Sequence, residues 1–147
     1  MYERTAEAGW RGTLAEGSGV MKVGSGALEG RYSFGSRFGE ASGTNPEELI
    51  GAAHAGCFSM ALALELGREG FKPQSIHTRA KVDIEQARGG FKITHIYLET
   101  DAVVPGINDM KFRELCELAK RGCPVSQALA GTTIGISAHL ASSRTGG

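Results

Sequence analysis

A helix written into residues 46–66 constrains this chain more than any other stretch. Asn45 reads as its N-cap, and Pro46 takes the first helical position, where a missing N–H costs nothing. Glu48, three residues after the cap, can reach back and close a capping box. Leu49, Ile50, Phe58, Met60, Leu62, Leu64 and Leu66 then fall nearly all round the helix. A helix without a clear polar face is expected to be buried on most sides. Gly67 and Gly70 punctuate its end. His54 and Glu65 interrupt the run, and its abundance of glycine and alanine suits a core helix rather than a membrane span. In the middle of this rod lies a thiol, Cys57.

A chain of 147 residues can bury a core as one domain, 1–147. Lys plus Arg equals Asp plus Glu at 16 each, so the net charge is zero and no nucleic-acid partner is expected. The first ten residues carry Glu3, Arg4 and Glu7 without an apolar run and do not read as a signal peptide. Three cysteines, Cys57, Cys116 and Cys123, are too few and odd in number for a disulfide framework. They read as thiols in a reducing, cytoplasmic compartment, with reactive chemistry ahead of stapling and no membrane partner.

Before the central helix, Trp10–Leu14, Gly19–Val23 and Arg31–Phe34 have strand character, with glycines between them for turns. They predict an antiparallel meander, followed by a polar loop over Ser36–Gly43. After the helix, Ile76, Thr78, Ala80, Val82 and Ile84 alternate with polar neighbours and predict a half-buried strand. A turn over Glu85–Gly90 leads into a second strand, Phe91–Val104, whose apolar phase shifts near His95 and Ile96, as a bulge would shift it. A helix over Asn108–Arg121 buries Phe112, Leu115, Cys116 and Ala119, with Gly122 as its stop. A short helix follows over Pro124–Leu129. A strand over Thr132–Leu140 puts Ile134, Ile136, Ala138 and Leu140 on one face, and Ser142–Gly147 reads as a frayed tail. The fold class is α+β, with antiparallel strands around a long buried central helix.

Each thiol has its own setting. Cys116 shares a helix face with Phe112, Leu115 and Ala119 and reads as core. Cys123 stands at the N-cap of the helix begun by Pro124, where unpaired N–H groups favour a thiolate. Cys57 lies ten residues into its helix, beyond the reach of the terminal dipole, and burial alone would raise its pKa. As a nucleophile it needs a cation brought from elsewhere, and an adjacent arginine can lower a pKa by about one to three units. Local reasoning therefore ranks Cys123 ahead of Cys57 as the attacking sulfur. His54, three residues before Cys57, could be a base, a packed core histidine or a metal ligand; neither a C-x-x-C nor a H-x-x-x-H spacing supports a metal, and no cofactor is expected.

The stretch Thr44–Leu62 resembles the osmotically inducible protein C (OsmC) family, as do Lys120–Gln127, Val103–Ile107 and Ser36–Arg37–Phe38. The likeness covers nearly the whole chain. The sister group, the organic hydroperoxide resistance proteins, usually has tyrosine where His54 stands, so the OsmC branch fits better. This resemblance implies a thiol peroxidase acting in oxidative or osmotic stress. It would reduce organic hydroperoxides, and more weakly hydrogen peroxide, to alcohols. It puts Cys57 at the peroxide-attacking position, Cys123 at the resolving position, and Arg37 and Glu47 at the helper positions, with Arg11 as the competing arginine. It further implies an intertwined homodimer with interfacial sites, and a dithiol reductant such as a dihydrolipoyl protein. Ten residues of helix separate Glu47 from Cys57 by about 15 Å, so either a long arginine bridges the gap from its loop or the helpers come from the partner subunit, and the second is expected. Phe34, Phe58 or Met60 would wall the alkyl group. The non-catalytic alternatives are a redox-sensing or apolar-ligand-binding dimer, or a structural dimer with inert thiols.

Overall fold

The computed structural model describes residues 1–141, so the expected tail lies outside the described residues. Its elements are β1 (Ala6–Arg11), β2 (Ser18–Val23), β3 (Glu29–Tyr32), α1 (Phe34–Phe38), α2 (Pro46–Arg68), β4 (Ser75–Ala87), β5 (Gly90–Val103), α3 (Asp109–Gly122), α4 (Pro124–Ala128) and β6 (Thr133–Ala141). The chain divides into two compact units, Met1–Leu49 and from Ile50 onward, with the boundary inside α2.

In the first unit, β1, β2 and β3 form the expected antiparallel meander in sequence order. β1 sits earlier than Trp10–Leu14 because Gly12, at φ +94°, turns the chain out of the sheet. Trp10 on β1 and Tyr32 on β3 meet above Gly19 of β2, their ring centroids 5.4 Å apart. A Cβ on Gly19 would lie 2.7 Å from the Tyr32 ring and 2.9 Å from the Trp10 ring, so only glycine floors this pair.

Part of the polar loop expected from Ser36 is the helix α1. Ser33 caps it with a reciprocal box: Ser33 Oγ accepts from the Ser36 N–H at 3.1 Å, and Ser36 Oγ accepts from the Ser33 N–H at 2.8 Å. Serine here replaces the glutamate of the usual box, and a helix of five residues leaves little periodicity to read. Ser36 also donates to the Thr44 carbonyl at 2.7 Å, and the Asn45 amide donates to the Ser36 carbonyl at 3.1 Å. These bonds tie α1 to the start of α2.

Asn45 caps α2 as expected, its Oδ1 accepting from the Glu48 N–H at 2.8 Å. The return arm differs, because the Glu48 carboxylate accepts from the Thr44 hydroxyl and the Asn45 side-chain amide instead of the cap's backbone. The burial of α2 also departs from expectation. Glu47, Gly51, His54, Phe58, Leu62 and Leu66 form one inward stripe at helical spacing, whereas Met60 is 78% and Leu64 54% exposed. By length and composition α2 could cross a membrane, but its inward stripe is core.

In the second unit, β4 and β5 form an antiparallel hairpin. Asp83 faces His95 and Ile84 faces Ile93, so Thr94 is the extra residue of the bulge foreseen from the phase shift. The turn is shorter than Glu85–Gly90, with only Arg88 and Gly89 between paired Ala87 and Gly90. β6 pairs with β5 in parallel, so the strands are not all antiparallel. Two helices intervene between β5 and β6, and such a crossover returns the chain to the end at which it started. Phe58, Leu62 and Leu66 of α2 pack with Ile96, Leu98 and Ala102 of β5 and Phe112, Leu115, Cys116 and Ala119 of α3. Ile134, Ile136, Ala138 and Leu140 of β6 line the same core as predicted.

Gly122 ends α3 from inside the helix, and Cys123, at φ −63° and ψ 123°, is both the C-cap of α3 and the N-cap of α4. Pro124 is the cause, since the residue before a proline is driven from helical into extended geometry.

Candidate active site

Cys123 is delivered at that break between α3 and α4, and Cys57 by the middle of α2. The Cys123 thiol donates to Cys57 Sγ across 2.8 Å. Cys57 is half-buried and Cys123 fully buried. Burial pushes the Cys57 thiol up from its ordinary pKa, and the contact with Cys123 adds to the rise. A backbone hydrogen bond from Val125 opposes them, and none of these influences is a cation. A nucleophilic Cys57 therefore still needs an arginine, as its place in the helix predicted.

One turn away, the same two elements make a second contact. His54 Nε2 and Ser126 Oγ lie 2.7 Å apart, both residues buried. Burial lowers the His54 pKa, so the ring is neutral at pH 7. Its Nδ1 is buried and has no hydrogen-bond partner. Ser126 was not singled out in the sequence, although it stands three residues after Cys123 as His54 stands three before Cys57. Among the described residues no three metal-binding side chains converge.

The first unit brings Arg37 and Glu47 together. Arg37 Nε lies 2.8 Å and Nη2 2.6 Å from Glu47 Oε1, with Nε also 3.2 Å from Oε2. Glu47 is buried, while the Arg37 side chain is 40% exposed. Gripping the guanidinium by Nε and Nη2 leaves its Nη1 edge for another anion. Arg11, the competing arginine, lies exposed at the end of β1. Arg37 also lines a hollow of about 280 Å³ with Trp10, Leu14, Tyr32, Phe34 and Phe38. Its guanidinium carbon stands 5.1 Å from the centroid of the Phe38 ring. Of the three residues expected to wall a site, only Phe34 lines this hollow; Phe58 is core and Met60 faces outward. Trp10 and Tyr32 were missed because a meander's register decides that they meet. A larger apolar hollow of about 530 Å³ on the same sheet holds none of the candidate residues.

Cys116 is core, as predicted, and burial pushes its thiol up to about 12, where it is inert at neutral pH.

Comparison with known proteins extends the picture. A family model described as OsmC-like protein matches residues 39–137. Peroxiredoxin OsmC of Escherichia coli (strain K12) is 49% identical over 127 residues, covering 86% of this chain and 89% of that protein. The organic hydroperoxide resistance protein of Xanthomonas axonopodis pv. citri (strain 306) is 33% identical over 108 residues, 71% of this chain and 74% of its own length. The crystal structure of an organic hydroperoxide resistance protein from Elizabethkingia anophelis, with crystallant-derived thiocyanate bound, superposes with a TM-score of 0.74. It is 30% identical and covers 97% of this chain and 98% of that one. Likeness of this extent, running through both segments that carry the paired thiols, makes the chain a member of the OsmC-like protein family.

Proposed function

We propose that this protein is a thiol-dependent peroxidase that reduces organic hydroperoxides to alcohols. The meeting of Cys57 and Cys123 at 2.8 Å carries the reading. Two thiols from distant parts of the chain, one half-buried and one fully buried, suit the roles of an attacking and a resolving sulfur. The relatives named as a peroxiredoxin and as an organic hydroperoxide resistance protein support a peroxidase acting on hydroperoxides.

The Cys57 thiolate attacks one peroxide oxygen, the O–O bond breaks, and the departing alkoxide takes a proton to leave as alcohol. Cys57 becomes a sulfenic acid. The Cys123 sulfur then displaces the hydroxyl, forming the Cys57–Cys123 disulfide and water. An external dithiol, of which a dihydrolipoyl protein is one kind, returns both thiols by exchange. We assign the missing cation to Arg37, held by Glu47 with its Nη1 edge free. It keeps Cys57 ionised and stabilises charge on the leaving oxygen. A second copy of the chain supplies that arginine, giving a homodimer whose α2 helices cover one another's outward Met60 and Leu64. The aromatic hollow beside Arg37 takes the alkyl group, which favours organic peroxides over hydrogen peroxide. Such thiols belong in a reducing compartment such as the cytoplasm, under oxidative or osmotic stress.

The test is steady-state consumption of cumene hydroperoxide with a dithiol reductant. Cys57→Ser should abolish turnover. Cys123→Ser should oxidise Cys57 once and stall as a sulfenic acid trapped by dimedone. Full turnover by Cys57→Ser would overturn the proposal, as would peroxide-treated protein showing no Cys57–Cys123 bond by mass spectrometry.

A further inference from the structure

We propose that His54 and Ser126 are a positioning pair that sets the resolving thiol on the oxidised one, fixing the rate of disulfide formation. This rests on the peroxidase reading above. Among the described residues two side-chain hydrogen bonds join α2 to the α4 segment, beside the backbone hydrogen bond from Val125 to Cys57: His54 to Ser126 at 2.7 Å, and Cys57 to Cys123 at 2.8 Å. Moving three residues up α2 corresponds to moving three residues back along the α4 segment, so the contacts are successive rungs of one antiparallel ladder. Residues three apart share a helix face, which is why both rungs meet the same partner.

The rungs differ in permanence. The sulfur rung is remade in every cycle: Cys57–SOH and Cys123–SH become Cys57–S–S–Cys123 and water, and the dithiol later restores two thiols. The His54–Ser126 rung changes no bond. His54 is fully enclosed and Ser126 is 6% exposed, so water cannot readily replace either partner if they separate. Ser126 is also the partner that His54 has, since Nδ1 makes no hydrogen bond among the described residues. A bare acceptor is the less costly orphan, so the ring is assigned as the Nε2–H tautomer, donating to Ser126 Oγ. The α4 helix has only five residues, and no side-chain bond from Cys123 caps it. The ladder therefore fixes the register of this short segment against α2. Resolution needs the Cys123 sulfur in line with the S–O bond of the sulfenic acid, and small misplacements of reacting atoms slow such steps steeply.

The experiment is a single turnover of the reduced full-length protein with one equivalent of cumene hydroperoxide, quenched over time. Peroxide loss, dimedone-reactive Cys57 and Cys57–Cys123 disulfide are scored separately. Ser126→Ala removes one oxygen and should slow disulfide formation about ten- to hundredfold, with much less change in peroxide loss. Dimedone trapping should rise, and excess peroxide should drive Cys57 to sulfinic acid. Ser126→Thr, which keeps the hydroxyl, and His54→Gln, which keeps a donor near the Nε2 position, should restore most of the rate. The proposal fails if Ser126→Ala and His54→Leu, each folded by circular dichroism, form disulfide within about twofold of the parent chain. It also fails if both steps slow in equal proportion, which is the signature of general loosening. Absence of dimedone-reactive Cys57 in Cys123→Ser would instead sink the peroxidase reading beneath it.

Discussion

At the scale of single residues, the decisive fact is that Cys57 sits in surroundings that oppose its ionisation within its own chain. Its activation by Arg37 can be tested with Arg37→Gln, which keeps a donor toward the buried Glu47 but loses the positive charge. Peroxide oxidation of Cys57 at pH 7 should fall about 10- to 1000-fold, the equivalent of one to three pKa units. Because the thiolate reacts, the rate should recover as pH rises toward the unassisted pKa of Cys57. A flat deficit across that range would mean that Arg37 does something other than hold the charge. His54 gives a second, independent titration. Its folded pKa lies below the ordinary 6.5, so between those two values the unfolded chain binds the extra proton. Stability contributed by neutral His54 is therefore whole above about pH 6.5 and is lost as pH falls through the lowered folded value. Urea midpoints measured down this range should drop in the parent chain and drop less in His54→Gln.

At the scale of elements, α2 was legible at its ends and misread around its circumference. Asn45-Pro46 marks a start by local bonds alone, and the observed helix begins where those residues put it. Burial is not local: an all-round apolar helix has as many covered sides as it has partners, and this chain covers one stripe. Gly51 shows how close that stripe packs. A Cβ there would lie 3.2 Å from Val82 Cγ2 and 3.6 Å from Ala80 Cβ, so α2 approaches β4 at a distance only glycine or a small side chain allows. Gly51→Leu should lower unfolding free energy by about 1–3 kcal/mol through overpacking, read from urea denaturation. By contrast, Gly56 has open space at its Cβ in the interior of α2, and Gly56→Ala should raise the unfolding free energy of the isolated fold by about 0.5–1 kcal/mol through helix propensity. The short α1 helix was invisible for the opposite reason. Its box is made by two serines, and its five residues carry no period to detect.

At the scale of the whole molecule, the outward face of α2 and the upward push on the Cys57 thiol point to the same remedy. Met60 and Leu64 lie outward on a helix that the sequence writes as buried. A second copy seated there would cover them and could bring Arg37 to a thiol that burial holds in its neutral form. Met60→Glu with Leu64→Glu should convert a dimer in sedimentation at micromolar concentration into a monomer. It should also reduce cumene hydroperoxide turnover at least about tenfold, the loss of one unit of thiol activation. A fully active monomer would separate the two observations and remove the reason for joining them.

What the sequence determined by itself was whatever short-range chemistry decides: the cap of α2, the alternation of β4, the extra residue of β5, the inward faces of α3 and β6. It also marked both cysteines, through the stretches that carry the family likeness. Local physics nevertheless ranked Cys123 ahead of Cys57, because a helix end is visible in one dimension and a meeting of two sulfurs is not. Only the tertiary structure decided that Cys57 touches Cys123, that Ser126 answers His54, that Glu47 grips Arg37, and that Trp10 and Tyr32 meet over Gly19. Those pairings join residues far apart along the chain, and their partners are chosen by packing and sheet register, which no local window contains.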